Sequence, residues 1–521
     1  MRVEKIPFAE THSFSNFFLD YIQQKESLRN FYSLFPKPEN FKEQINAKKQ
    51  SYPTANRITL VNTLTAQYKN IIQKDPVKKN ISLLSEPDTF TITTGHQLNI
   101  FTGPLYFIYK IVTVINACKE LKKLYPENNF VPVYWMASED HDYEEIKYFT
   151  LYGKKYIWET DQQGAVGRFH TKDFKNLLNE VPGEISIFKE AYSKSKNLAE
   201  AVRNYVNVLF GNEGLVIVDG DDRELKRTFT STITDDLFLH TCKKEVDEAT
   251  EQLQSLGYRT QVNAREINFF YLTDGLRNRL EKVGDHFQVV DTNIQFSKQE
   301  IEKMIQEEPE KFSPNVVLRP LYQEMILPNL AYVGGPAELV YWLQLKNVFQ
   351  HFKTPFPVLM PRNFAMVIDQ PKAKKLEKAK LGAKELFVDK NTLFNNWIAK
   401  NTHHQLGLGK ELASLTAILN DVKKRATQID STLNQFVEAE TKRATSGLEK
   451  IEKKMLRAEK HFHSDKLRQL EAVKDALFPN GSLQERTDNF LNFYQQDPAF
   501  IQKILTALDP FDFRFNVVTY D

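Results

Sequence analysis

Cysteine is nearly missing from this chain: two residues in 521, Cys118 and Cys242, neither in a CxxC pair. That excludes a disulfide framework and a four-cysteine zinc site, and it fits a reducing compartment. Long apolar runs are missing too. No stretch approaches the roughly 20 residues that span a bilayer, and the opening MRVEKIPFAETHSF lacks the apolar core of a signal peptide, so the expectation is a cytoplasmic protein without a membrane partner. Charge of one sign is equally scarce: 69 basic against 67 acidic residues leave +2, which offers no overall field for nucleic acid.

Several catalytic signatures are also absent. A phosphate loop of the GxxxxGK[ST] type fails at Gly407-Leu408-Gly409-Lys410, where Glu411 replaces the hydroxyl and His404 the first glycine; the segment reads as a helix start. No GxGxxG follows an expected strand, and neither HExxH nor GxSxG occurs.

What is present is an alternation. From about Thr89 to Asp291, TFTITT, a helix from Pro104 to Leu124, FVPVYWMASEDHD, a helix from Leu198 to Phe210 and GLVIVDGDD follow one another. Near-continuously apolar strands separated by helices predict a parallel sheet covered on both faces, hence an α/β fold. KKYIWETDQQGAVGRFHT, EINFFYLTD and DHFQVVDT read instead as hairpins of an insertion, within about 147–290, in a core spanning 1–385. From Leu412 through Leu415, Leu419, Val422, Ala426, Ile429 and Leu433 to Phe436, apolar residues are spaced three and four apart, which predicts a coiled coil over 386–480. A second series, Ala444 to Phe462, shifts phase before Leu470, a stutter or a change of partner. Asp430 and Ser431 could cap a second antiparallel helix, although the unbroken seam through Phe436 argues against a turn there. PNGS at 479–482 stops the helix, and 481–521 is expected to pack back on the core, ending in the strand FRFNVVTY.

Three strand ends carry polar clusters, and in parallel sheets ligands sit beyond those ends. Thr94-Gly95-His96-Gln97 stands between a strand and a helix, with Thr102-Gly103-Pro104 at the helix mouth, where Thr102 could cap and Pro104 take the first position. This is an anion or oxyanion site with His96 as donor, or an ordinary capped turn. ASEDHDYEE concentrates carboxylates around His141; a solvated first turn explains Asp142, Glu144 and Glu145, but Glu139, Asp140 and His141 less well. Magnesium is conceivable there, whereas a zinc site from His141, His240, Cys242 and His286 would need a tertiary coincidence. YVGGPAE offers Gly334 and Gly335 for close backbone approach and Glu338 in a first helical turn, which capping alone could also explain. Arg319 and Arg362 each follow a strand-like run and could clamp a carboxylate or phosphate, or pair with a neighbouring acid.

Taken together, TTGHQLNIFTGPLYFIYK, PVYWMASEDHDYEEI, SPNVVLRPLYQEMILPNLAYVGGPAELVYW, PVLMPR and LEKIEKKMLRAEK…LRQLEAVKDALFPNGSLQER resemble the BshC family, to which cysteine addition in bacillithiol synthesis is ascribed. The resemblance covers essentially the whole chain. It implies a Rossmann-type core like that of class I aminoacyl-tRNA synthetases, with a connecting-peptide insertion, a coiled-coil domain supporting a homodimer, and TGHQ in the place of the synthetases' HIGH signature. The implied reaction joins the carboxyl of cysteine to the amine of glucosaminyl-malate, with ATP and magnesium suspected by analogy and zinc not expected. The synthetases' KMSKS lysine loop has no counterpart after the last core strand.

On this reading His96 and Gln97, flanked by Thr94, Gly95, Thr102 and Gly103, meet a phosphate or an acyl oxyanion. Glu139, Asp140 or His141 takes the amine's proton. Gly334, Gly335 and Glu338 border the nucleotide or amino acid, and Lys110, Arg319 or Arg362 faces the malyl carboxylates. Two rivals remain: a transferase of the same fold using a donor activated elsewhere, and a non-enzymatic, nucleotide-binding dimeric scaffold.

Overall fold

The computed structural model describes residues 1–72 and 74–520. They form two compact units, Met1–Val367 with Ser482–Val518, and Ile368–Gly481 with the chain's end.

The first unit is organised by five parallel strands: β1 (Thr89–His96), β2 (Asn129–Met136), β3 (Val216–Asp219), β4 (Asn329–Gly334) and β5 (Val358–Pro361). Their order across the sheet is β5-β4-β1-β2-β3. The chain thus steps outward from β1 to β3 and then returns to the other side of β1, which is the Rossmann strand order. Every residue of β1 is buried, as a strand covered on both faces requires. Helix α1 (Tyr106–Leu124) follows β1 and is buried nearly all round. Val114 and Leu121 pack with Phe90, Ile92, Leu330 and Val358 of the sheet, while Asn116 donates to the carbonyls of Leu505 and Leu508 on the C-terminal side. Each such fully buried aliphatic contributes about 1.5–3 kcal/mol.

Two expectations at the start of α1 are corrected. The helix begins at Tyr106 with Leu105 at its cap and no side-chain cap bond, so Thr102 does not cap and Pro104 lies outside. Phe101 and Thr102 instead take left-handed backbone (φ 52° and 70°), continued by Gly103 at φ 62°. Any Cβ at Gly103 would fall 2.6 Å from the Asn99 side chain, which explains the glycine.

The insertion comes in two parts, because β3 lies inside it. The hairpin Tyr148–Leu151 with Lys154–Ile157 precedes β3. An antiparallel sheet follows it, in the order Gln295–Ser297, His286–Val289, Leu276–Val283, Phe269–Thr273, Phe312–Pro314. Beyond it, Arg319 starts a helix, α2 (Arg319–Ile326), rather than ending a strand. After β4, Pro336 opens α3 (Pro336–Trp342) as expected. The tail returns to this unit: Asn489 donates to the carbonyls of Phe101 and Gly103 (2.8 and 2.6 Å), and Asn516 of the last strand, Arg514–Tyr520, donates to that of Phe364.

In the second unit, α4 (Gly409–Ile429) and α5 (Leu433–Phe462) are antiparallel, with Lys423 facing Glu438 and the Leu408 amide donating to Glu452. The turn falls at Asp430, whose carboxylate accepts from the amide and hydroxyl of Thr432 (2.8 Å each), so the seam's continuity through Phe436 is overruled. Ile429 and Phe436 flank the tip and are exposed. The phase shift before Leu470 marks a helix boundary: α5 ends at Phe462 and Ser464–Leu477 begins a new helix, burying Leu467, Leu470, Val473 and Leu477. No helix among the described residues is long and apolar enough to cross a membrane.

Candidate functional site

Between β1 and β4 the strand order reverses, and the crevice beyond the carboxyl ends at such a point is where open α/β sheets bind ligands. Several of the sequence candidates meet there. Lys110, one turn into α1 and 2% exposed, reaches back to the end of β1. Its ammonium donates to the Gly95 carbonyl (2.7 Å) and to both carboxylate oxygens of Glu338 (2.6 and 2.9 Å). Tyr332 of β4 donates to the same carboxylate at 2.7 Å. Desolvation alone would raise the Glu338 carboxyl, but the Lys110 charge and these hydrogen bonds override it, and the group sits below its usual value, ionised. The Arg319 guanidinium lies beside this cluster, 5.7 Å from the centre of the Tyr332 ring, and donates to buried Gln323 (3.1 Å). A Cβ at Gly334 would lie 3.0–3.1 Å from Tyr332, Glu338 and Leu339, so the glycine lets α3 leave β4 tightly; Gly335 has more room.

His96 completes the crevice. Its ring lies 5.1–5.3 Å from those of Tyr106 and Phe107, and its Nε2 is buried with no hydrogen-bond partner in the protein. Desolvation, then the charges of Lys110 and Arg362, hold its pKa well below the ordinary histidine value, so the imidazole is neutral at pH 7. An unmade hydrogen bond on such a group costs about 1–3 kcal/mol, which an oxygen of a bound ligand would recover.

A second group lies at the end of β2. Gln97 donates to Asp140 Oδ2 (3.0 Å), while Asp140 Oδ1 accepts from the His141 amide (2.7 Å). Arg277, from the insertion strand Leu276–Val283, donates to His141 Nδ1. These residues, with Asn278 and Thr292, line a cavity of about 760 Å³. Asp142 caps the short helix Tyr143–Ile146, the structural role weighed for it.

Other candidates are engaged elsewhere. Glu139 forms a buried ion pair with Lys226, which also donates to the Phe312 carbonyl; desolvation raises the Glu139 carboxyl against the pull of that lysine. It is therefore not the free base that was expected. For Arg362 the pairing alternative holds over the ligand clamp: it donates to both carboxylate oxygens of Glu485 (2.6 and 3.1 Å), the pair being 2% and 0% exposed, so its fork is taken. Thr94 donates to the Val333 carbonyl between strands, and Thr102 and Gly103 sit in the turn clamped by Asn489, away from the crevice. His240 bonds backbone carbonyls of Asp236 and Glu266, and Cys242 is fully buried. Sequence reasoning missed Tyr332, Gln323, Lys226, Arg277 and Glu485. Tyr332 stood inside YVGGPAE, Gln323 inside SPNVVLRPLYQE and Glu485 inside PNGSLQER, whereas Lys226 and Arg277 lay in no quoted motif.

Comparison with known proteins bears on the whole length. Residues 1–363 match the family model "Bacillithiol biosynthesis BshC, N-terminal Rossmann-like domain", and residues 365–520 match "Bacillithiol biosynthesis BshC, C-terminal coiled-coil domain". A relative from Flavobacterium johnsoniae is 43% identical, with 100% of both chains covered. One from Cytophaga hutchinsonii is 41% identical over 100% of this chain and 99% of its own, and one from Natranaerobius thermophilus 30% identical over 95% and 96%. All three are named "Putative cysteine ligase BshC". The Rossmann strand order, the polar crevice at its reversal point, the helical hairpin unit and these full-length matches agree, and the chain belongs to the BshC family of bacillithiol biosynthesis.

Proposed function

We propose that this enzyme performs the cysteine-adding step of bacillithiol biosynthesis, joining an activated cysteinyl carboxylate to the amine of glucosaminyl-malate. The observation that carries the reading is His96: a neutral, buried imidazole whose Nε2 has no protein partner, at the reversal point of a Rossmann-ordered sheet. With its proton on Nε2, it donates to a phosphate or to the oxygen of the activated acyl group as negative charge develops. Asp140, held by Gln97 and the His141 amide and lining the cavity, is the carboxylate of the ASEDHD loop left to take the amine's proton, since Glu139 is committed to Lys226. Arg319 is the cation for a malyl carboxylate, because Lys110 and Arg362 are already paired.

A carboxylate is a poor electrophile, and ATP with magnesium is the activating pair that the likeness to class I synthetases suggests. Magnesium travels with nucleotide phosphates and keeps several of its own waters. The test is turnover of cysteine and glucosaminyl-malate by the purified chain, with and without ATP and magnesium. Product only when both are present supports adenylation. Product from a pre-activated cysteinyl donor alone would move the chain to the transferase reading, and no product under either condition would leave the scaffold reading.

Homodimerisation through the helical hairpin is part of the proposal. No residue of α4 is fully buried, and Ile418 is 61% and Phe436 62% exposed, apolar side chains that a second copy would cover. Light scattering on a Leu415→Asp, Leu419→Asp variant should show the mass halved relative to the parent; an unchanged mass counts against the hairpin as the contact.

A further inference from the structure

We infer that Arg277 is a positioning residue that fixes His141 as a neutral hydrogen-bond donor, its Nε2–H edge presented to the 760 Å³ cavity for a carbonyl or anionic oxygen of the substrate. The inference starts from donor bookkeeping. A guanidinium has only donors, so the 2.5 Å contact between Arg277 Nη1 and His141 Nδ1 requires a bare, accepting Nδ1. In a neutral imidazole the proton then resides on Nε2.

Arg277 is itself held before it meets the histidine. Its Nε donates to Ser313 Oγ (3.0 Å), its Nη2 to the Pro314 carbonyl (3.3 Å), and its plane lies 4.0 Å from the centre of the Phe270 ring. It is 8% exposed, so the three tethers act out of bulk water and the guanidinium cannot swing aside at small cost. His141 lies against the same Phe270 ring, 5.4 Å centre to centre, and is itself partly exposed to the cavity.

The groups facing the histidine are Arg277 from the insertion strand, and Asp140 and Asp142 from its own loop, with Asp140 Oδ1 4.0 Å from Nδ1. The Asp140 oxygen is too far for a hydrogen bond, so the arginine decides which ring nitrogen is bare. Protonating Nδ1 would set two donors against each other; desolvation and Arg277 accordingly hold the histidine below its ordinary pKa, against the pull of the two aspartates. His141 is therefore not a proton acceptor in this loop. That role falls to Asp140, and two adjacent residues of one loop divide the work: one carboxylate to accept and one imidazole to donate.

The catalytic part of this inference rests on the proposed reaction, whereas the tautomer does not. Side-chain nitrogen resonances of the full chain labelled with 15N-histidine, assigned with a His141→Gln sample, read the tautomer directly. The parent should show the Nε2–H form of His141, and Arg277→Met should let the Nδ1–H form appear. An Nδ1–H form in the parent overturns the assignment whether or not the Arg277→Met variant folds. In turnover, His141→Gln, which keeps an amide donor where Nε2 stood and has no base, should stay within about 10-fold of the parent, while His141→Ala falls about 100-fold. Equal losses in the two variants would overturn the donor role. Failure of the parent to turn over at all would count against the reaction and leave the spectroscopic result standing.

Discussion

His96→Ala should form product roughly 100-fold or more slowly than the parent while keeping its circular dichroism spectrum, because the side chain lost is a donor to developing charge and its Nε2 anchors nothing in the protein. The neutral state is what makes it useful: beside Lys110, a charged imidazole would repel the lysine that holds Gly95 and Glu338 in place. The same depression has a signature in stability. The folded form binds fewer protons at His96 than the unfolded form between its lowered pKa and about 6.5, so stability rises with pH across that window and is lost as pH falls below 6.5. Removing the imidazole should flatten that slope. A variant that turned over near the parent rate would sink the assignment, and an unchanged slope would show that the imidazole titrates alike in the folded and unfolded chain.

The second large effect concerns stability. Glu485→Ala should cost about 3–5 kcal/mol in the unit that contains it, because it strands the Arg362 guanidinium in a site where both partners are at most 2% exposed. The loss is a desolvation penalty on the remaining charge more than a missing attraction. Arg362→Met combined with Glu485→Leu should therefore recover most of it, as apolar groups of similar volume need no partner. Denaturant unfolding followed by hydrogen exchange on β5 and α1 reads both. A single variant within 1 kcal/mol of the parent, or a double variant worse than the single, would contradict this account.

These two residues also mark the limits of reading the chain alone. The strand ends were legible because a β-branched run stopped by polar residues is a local pattern, and TGHQ, ASEDHD and YVGGPAE all fall at the carboxyl edge of one sheet. Which of their side chains remain free was not legible. Arg362 meets its acid 123 positions away, Glu139 its lysine 87 away, and His141 its arginine 136 away, and no periodicity carries such pairings. The turn after β1 was misread for a local reason. Phe101 and Thr102 occupy left-handed backbone that bulky and β-branched residues seldom take, and it persists because Asn489 grips the carbonyls on either side. At Asp430 the opposite occurred: the turn signal was right, although Thr432 rather than Asp430 stands at the cap of α5, and an apolar spacing that happened to run on past the tip outweighed it.

The tail's grip on the turn at Gly103 and on Arg362 has a consequence for how the protein is made. Glu485 lies 123 positions beyond Arg362 and Asn489 follows it, so during synthesis all five strands of the sheet and the insertion emerge before either residue. Until they emerge, the nascent chain carries an arginine site without its carboxylate and a turn whose Phe101 and Gly103 carbonyls lack their donor. The lock on β5 therefore closes only after the sheet has emerged, and a chain stalled or cut before Glu485 would present the whole of β1 to β5 with that lock missing.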